Sequence, residues 1–292
     1  MASMPDDADT FPLRGCYINL DRSPERRELC ERQLGRFGLA DHYQRLAAVD
    51  GKLVHGSHGD TKFSPAKLGC WLSHLQAMEL GLTHDAHHHI LEDDFQLTPA
   101  FTAFAHNLDE QLTPLGDWDI LFTDVDLAGM FQVQAMRELI VTVNRLSASG
   151  EVALRDAVNL FAAGNSSYII NRASKARVLE LMKPGLATTA PNDIYMRQLI
   201  RNGKLKAFVT LPFVTTVDAG FNDSTILGNI GQTNPSILLA TQFRRSLAYQ
   251  AETRAILDSV KTQINQLRPI SDRGMIYAHL VAHFVSDDYK PY

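Results

Sequence analysis

Three consecutive acids, Glu92, Asp93 and Asp94, close a short apolar run at residues 88–91. Carboxylates this close repel one another, and folding gives no reason to set them side by side. A divalent cation removes the conflict, because hard carboxylate oxygens suit Mg2+ or Mn2+. In α/β folds ligands collect beyond the carboxyl ends of strands. Alternate residues of an extended segment share a side, which makes Asp94 the first candidate metal ligand and Glu92 the second, with Asp93 facing elsewhere. An ion held there with open coordination positions is placed to take a diphosphate. An isolated acidic triplet is as readily a solvated turn, so its weight depends on its company.

The elements that must position these acids are readable around them. Residues 15–20 form an apolar run with β character, then Ser23 and Pro24 open a helix whose Cys30, Leu34 and Phe37 fall at helical spacing before Gly38. Ser64 and Pro65 repeat that grammar, with Leu68, Leu72, Leu75, Met78 and Leu82 as an apolar stripe and His74 at its edge. Residues 118–122 read as a strand closing on Asp124 and Asp126, and residues 99–108 as a helix. The mixed pattern of residues 127–159 carries no assignment. Residues 160–163 and 167–170 read as two strands separated by Gly164-Asn165, and Ser174 caps a helix through residue 182. A helix over 193–200 and a last strand over 205–211 follow, and beyond residue 230 the pattern is helical, over 236–267 and 275–285. His84, His87, His88 and His89 suggest a metal cluster, but alternation splits them across two faces, and they read as a loop and strand edge. The whole predicts an α/β sandwich with a largely parallel sheet over residues 13–229, after a lead-in at 1–12 and before a helical extension at 230–292.

Four stretches, in order, carry a further signal: Tyr17-Ile18-Asn19-Leu20-Asp21-Arg22-Ser23-Pro24-Glu25-Arg26-Arg27, Ala48-Val49-Asp50-Gly51, Gly69-Cys70-Trp71-Leu72-Ser73-His74 and Ile90-Leu91-Glu92-Asp93-Asp94. Together they resemble glycosyltransferase family 25, the lipooligosaccharide and collagen galactosyltransferase group, over residues 15–225. The resemblance implies a single GT-A-like nucleotide-sugar-binding domain and a UDP-hexose donor, with galactose resting on the resemblance alone. It also implies an inverting reaction, Mn2+ or Mg2+ as cofactor, and a hydroxyl of a lipooligosaccharide, capsule or similar glycan as acceptor. Neither G-x-G-x-x-G nor G-x-x-x-x-G-K-[ST] occurs, so a carboxylate-bound metal would take the place of a glycine-rich phosphate cradle.

Against that chemistry each residue has a role and a plainer rival. Asn19, Asp21, Arg22 and Arg26 lie just after the first strand, where nucleotides bind in such sheets. Asp21 suits a ribose or uracil hydrogen bond, and either arginine can pair bidentately with phosphate or simply face water. Asp93 suits a ribose or sugar hydroxyl. His74, with Ser73, is placed to support the carboxylates or to pack, and Trp71 to line the core or the donor pocket. The family's pattern of Gly-Thr-x-x-Tyr, then proline, an apolar residue and aspartate, is met by Gly164-Asn165-Ser166-Ser167-Tyr168 and Pro191-Asn192-Asp193, with Asn165 and Asn192 as departures. Asp193 is the candidate base for the acceptor hydroxyl, with helix capping as its rival. Asp124, Asp126 and Asp218 stand in reserve.

The totals set outer limits. A chain of 292 residues with 45% hydrophobic residues buries a full core without disulfide or metal. A net charge of −5 argues against nucleic acid as the principal partner. Cys16, Cys30 and Cys70 are too scattered for a disulfide framework or zinc knuckle and read as small hydrophobes. With no apolar signal region or membrane-length apolar run, the expected location is the cytoplasm. Arg244, Arg245, Arg254 and Arg268 beside Leu238, Leu239, Leu247 and Ile256 suit either peripheral membrane contact or packing against the domain or a second copy. Two other functions fit the same acids: a nucleotide-sugar or glycan-binding protein without a base, and a metal-dependent phosphoester or diphosphate hydrolase.

Overall fold

A computed structural model describes residues 11–58, 62–127, 133–218 and 235–251. Strand β1 (Leu13–Asn19) leads through helix α1 (Pro24–Arg36) to β2 (Tyr43–Ala47), then to α2 (Gly51–Val54) and α3 (Pro65–Gly81). Next come β3 (His87–Glu92), β4 (Phe95–Leu97), α4 (Phe101–His106), α5 (Leu108–Leu112), β5 (Ile120–Leu127) and α6 (Val133–Ser149). The described chain finishes with β6 (Ala153–Asp156), β7 (Phe161–Ile170), α7 (Lys175–Met182), α8 (Asn192–Arg201), β8 (Ala207–Leu211), β9 (Thr215–Val217) and α9 (Pro235–Ser246).

Seven strands form one sheet in the order β2-β1-β3-β7-β5-β8-β6, and β4 pairs with β9 beside it. The parallel arrangement expected from alternating strands and helices holds across β2-β1-β3 and between β5 and β8. β7 and β6 run against their neighbours, so the α/β sheet is mixed. Antiparallel β7 inserts between β3 and β5, which brings the carboxyl ends of those two strands to the same edge.

Alternation along the strands divides the core. Cys16, Ile18, Ile90, Phe122, Tyr168 and Val209 face helices α3, α6, α7, α8 and α9, whereas Leu13, Tyr17, Leu91, Leu121 and Ile169 face α1, α4 and α5. Glu92 therefore points to the α3 side and Asp93 to the α1 side.

Several sequence expectations are corrected. The segments at 160–163 and 167–170 are one strand, β7, bent by register shifts against β5 between Asp124 and Leu127. Gly164 has φ +72°, a backbone state that glycine enters without Cβ strain. The unassigned stretch holds α6, whose buried Ile140, Val143 and Leu146 keep helical spacing, and edge strand β6. A further strand, β9, follows the one expected to be last, because a three-residue strand carries too little pattern to read. In α3 the predicted stripe is buried at Leu68, Leu75 and Met78, and the inward face also takes in Trp71 and His74, while Leu82 lies past the helix end and is exposed. α3 is pressed so closely on its neighbour that a Cβ on Gly69 would lie 2.6 Å from the Val49 carbonyl oxygen. The helix expected over 236–267 ends with α9 at Ser246, and its part beyond residue 251 and the helix expected over 275–285 lie outside the described residues. Of the lead-in expected over 1–12, residues 1–10 lie outside them and Phe11 is buried in the core.

The histidine run is also not a strand edge. His87, His88 and His89 sit in β3, between β1 and β7, all buried. Each has partners that fix its ring: His87 Nε2 donates to Asp109 at 2.8 Å, His88 Nε2 donates to the Ala77 carbonyl at 2.8 Å, and His89 bonds Tyr43 Oη at 2.7 Å and Ser167 Oγ at 3.0 Å. Burial pushes the His88 and His89 pKa values down to about 3, from an ordinary 6.5.

That depression has a defined sign. Below about pH 6.5 the unfolded chain takes up protons that folded His88 and His89 refuse. The stability they contribute is complete above that pH and is lost as pH falls toward 3, by up to about 1.4 kcal/mol per pH unit for each ring. Urea denaturation across this range should show His89→Gln with a flatter acid dependence than the parent chain. Parallel curves would show that His89 is accessible to protons in the folded state.

Candidate active site at the carboxyl ends of β3 and β5

Glu92 ends β3, and Asp94 lies in the turn before β4 with its carbonyl fixed by the Asp218 N–H at 2.7 Å. Asp124 and Asp126 come from the irregular end of β5, and Asp193 from the first turn of α8. The bulge in β7 joins the last two. The Gly164 N–H donates to Asp193 Oδ2 at 3.0 Å, and a Cβ on Gly164 would stand 3.4 Å from Asp126 Oδ2. Bulges often re-aim side chains beside functional sites, and this one sets two carboxylates around one backbone position.

The predicted residues divide into those gathered at the acids and those held apart. Asp93 accepts from Asn19 Nδ2 at 2.7 Å and from Arg26 Nη1 at 2.7 Å, tying the ends of β1 and β3 to α1. Asp21 pairs with Arg45 and Arg22 with Asp50, both on the exposed rim. Ser73 is buried: its Oγ donates to the Gly69 carbonyl at 2.7 Å and accepts from the Val49 N–H at 2.9 Å. It fastens α3 to the Ala48–Gly51 stretch and faces no open space. His74 lies between Tyr168 and Glu92. A carboxylate only accepts, so Nε2–H donates to Glu92 Oε1 at 3.3 Å, and in the neutral ring Nδ1 accepts from the Tyr168 hydroxyl at 3.0 Å.

Asp193 also serves its helix: its Oδ1 accepts from the Ile194 N–H at 2.8 Å. Both oxygens thus receive a backbone N–H, and each keeps a second lone pair.

The electrostatics separate acids that look alike in sequence. Burial opposes charge on Glu92, but the His74 hydrogen bond, with Arg244 and Arg26 nearby, outweighs it and holds that carboxyl below the usual range. Burial, then the Glu92 charge, pushes Asp94 up to about 7 against the pull of Arg26 and Arg244. Burial raises Asp124 to about 6 despite Arg244, and raises Asp126 too, with Asp193 and Glu92 adding repulsion. Asp94 Oδ1 and Asn165 Nδ2 are buried with no hydrogen-bond partner among the described residues. An unpartnered buried carboxylate oxygen beside an ionised one is what a bound cation would satisfy, so Glu92 and Asp94 fit a divalent ion.

Of the two alternatives for the basic C-terminal residues, packing against the domain holds for Arg244, and its partners are the acids of the site. Arg244 of α9 is buried, donating to Asp124 from Nε at 2.5 Å and from Nη2 at 2.7 Å, with Nη1 3.6 Å from Asp126. Burial disfavours its charge, but Asp124 and Asp126 more than restore it. Leu247 and Phe243 beside it are in the core, so this part of the helix packs on the domain. Arg254, Arg268 and Ile256 lie outside the described residues. No spacing rule links residue 244 to residue 124, and only the fold could have found the pair. Cys70, expected to pack as a small hydrophobe, stands at i, i+4 to His74, a spacing visible in the sequence, and Cys70, His74 and Glu92 place possible ligand atoms within 4.8 Å of one another. Burial, with Glu92 and Asp193, holds its thiol well above the ordinary pKa.

An α/β sheet with carboxylates gathered at its strand ends defines the class: a fold of the kind in which ligands bind beyond the carboxyl ends of the strands. The sequence model of glycosyltransferase family 25 (LPS biosynthesis protein) matches residues 16–196. The match covers more than half of the chain, which therefore belongs to this family of glycosyltransferases of lipopolysaccharide biosynthesis. No curated protein matches the chain significantly. Among the described residues no helix is long and apolar enough to cross a membrane.

The Arg244–Asp124 pair gives a direct test of the acid centre's construction. Arg244→Met leaves a buried carboxylate uncompensated and should cost about 3–5 kcal/mol in urea denaturation. Adding Asp124→Leu should recover much of that loss. A double variant as unstable as the single one would show that Arg244 matters through packing and not through charge.

Proposed function

We propose that the chain transfers a hexose, galactose in the first instance, from its UDP derivative to a hydroxyl of a lipopolysaccharide-type glycan, with inversion. The observation that carries the reading is the unpartnered, buried Oδ1 of Asp94 beside ionised Glu92, in a chain of this family. Glu92 and Asp94 would hold Mn2+ or Mg2+, which when bound neutralises charge developing on the diphosphate leaving group.

The remaining work falls to the chain's own side chains. Arg26, half-buried and set by Asp93, supplies positive charge on the α1 side for the donor's phosphates. Asn19 and Asp93, already joined, orient the donor's ribose or sugar hydroxyls. Asp21 and Arg22 stand at the rim, in exposed ion pairs that exchange partners at little cost. His74 keeps Glu92 ionised and oriented, with Tyr168 fixing its ring. Asn165 Nδ2 is a free donor within the bulge, suited to a sugar hydroxyl. Asp193, in the first turn of α8, takes the proton from the attacking hydroxyl. Asp126, which shares Gly164 with it and has a raised pKa, is the second carboxylate able to do so. The reaction takes place at the cytoplasmic face, where nucleotide sugars are supplied.

Calorimetric titration with UDP-galactose, with and without Mn2+, tests the donor site. Manganese-dependent binding that Asp94→Ala abolishes is the expected result. Binding indifferent to manganese would remove the ion from the reading, and release of free galactose without acceptor would favour a hydrolase.

The base is tested separately. Asp193→Asn should lower kcat about 10²–10⁴-fold while donor affinity is kept. If only Asp126→Asn has that effect, the base is Asp126 and Asp193 is a cap.

A further inference from the structure

One cluster overlaps the donor centre at Glu92 and His74 and adds Cys70, which the proposed transfer does not use. Cys70 and His74 stand one turn apart on the same side of α3, and Glu92 faces them from the end of β3. Their ligand atoms lie within 4.8 Å of one another, and the Nε2 of His74 is 3.3 Å from Glu92 Oε1. In a tetrahedral zinc site bonds of about 2.0–2.3 Å place neighbouring ligand atoms about 3.3–3.8 Å apart. The histidine and the carboxylate already meet that spacing, and the thiol needs to move inward by about 1 Å on the same estimate.

The outer partners are also in place. Tyr168 Oη lies 3.0 Å from His74 Nδ1, and their rings stack with an interplanar angle of 18°. That contact fixes the imidazole with Nε2 toward Glu92. Asn192 Nδ2 donates to Cys70 Sγ at 3.6 Å, a hydrogen bond that steadies a thiolate ligand. Ligating histidines characteristically have such a partner on the second ring nitrogen. The set shares Glu92 with the all-oxygen centre proposed for the donor and differs from it in having Cys70 and His74 in place of Asp94.

We infer that Cys70, His74 and Glu92 form a second cation site, suited to a thiophilic divalent ion of the zinc type. A thiolate and an imidazole favour Zn2+ over Mg2+ or Mn2+, and three protein ligands leave a fourth position open. On binding, the thiol proton leaves to solvent. The imidazole proton moves from Nε2 to Nδ1, where Tyr168 Oη changes from donor to acceptor. The site does not depend on the sugar-transfer reading.

The test is titration of the metal-stripped full chain with Co2+, read by its absorption and without donor or acceptor. A thiolate-to-cobalt charge-transfer band that saturates at one ion per chain is expected. Cys70→Ser should remove the band and weaken binding at least about tenfold, while Asp94→Asn keeps it. Cobalt binding without the band, or a band that survives Cys70→Ser, would overturn the site. A measurement on the unmodified chain guards against a variant that fails to fold. Zn2+ should slow alkylation of Cys70, located by mass spectrometry against the buried Cys16 and Cys30, and an unchanged rate would equally sink the inference. Failure here leaves UDP-galactose binding untouched, and failure of donor binding leaves the cobalt result untouched.

Discussion

Crowding of negative charge at one end of the sheet is the constraint on which the rest of this structure depends. Glu92, Asp94, Asp124, Asp126 and Asp193 converge from three elements, and in a partly dry site their mutual repulsion would oppose folding. Each is compensated differently. Glu92 has His74, Asp124 has the buried fork of Arg244, Asp126 stands at longer range from that guanidinium, and Asp193 receives two backbone N–H groups. Asp94 keeps a buried oxygen with no partner among the described residues. Neighbouring acids whose environments push their pKa values apart are a mark of functional sites, and Glu92 and Asp94 are driven in opposite directions.

The framework that permits this concentration is α3. Within six residues, Gly69 lets the helix touch the Ala48–Gly51 stretch, Ser73 fastens it there, and His74 reaches both Glu92 and Tyr168. Trp71 Nε1 donates to the Ala190 carbonyl at 3.0 Å, and Cys70 accepts from Asn192, so the same two turns position the segment that carries Asp193. A string that looks like a motif in sequence is, physically, the place where all the other motifs attach. Its residues cannot be exchanged singly, because each touches a different neighbour.

This explains what was legible beforehand. The strand–helix units around residues 13–36 and 64–92 carry long periodic signals, and alternation places Glu92 on the α3 side, whereas Asp94 lies in the turn beyond the strand, where alternation no longer orders it. Three things were not legible. The antiparallel insertion of β7 has no local signature, because strand direction is set by distant pairing. The histidine run looked exposed because histidine is polar, whereas each ring finds partners supplied by other elements. Arg244 looked like a surface charge because its partners lie 120 residues earlier. In each case the missing information was a tertiary contact that only the folded chain contains.

Arg244 also bears on where the functional unit ends. The family match stops at residue 196, and strand signals stop near 217, so a boundary near residue 230 is the natural reading of the sequence. Yet α9 lies across the end of β5, Phe213 pairs with Ala248, and the only cation paired directly with Asp124 among the described residues comes from this helix. A chain cut before α9 would leave Asp124 beside Asp126 and Glu92 without the guanidinium that pairs with it. Asp124 would then have to take up a proton or draw in water, and either response would alter the field around Glu92 and Asp94. The segment after the family's common region is therefore part of the electrostatic design of the site.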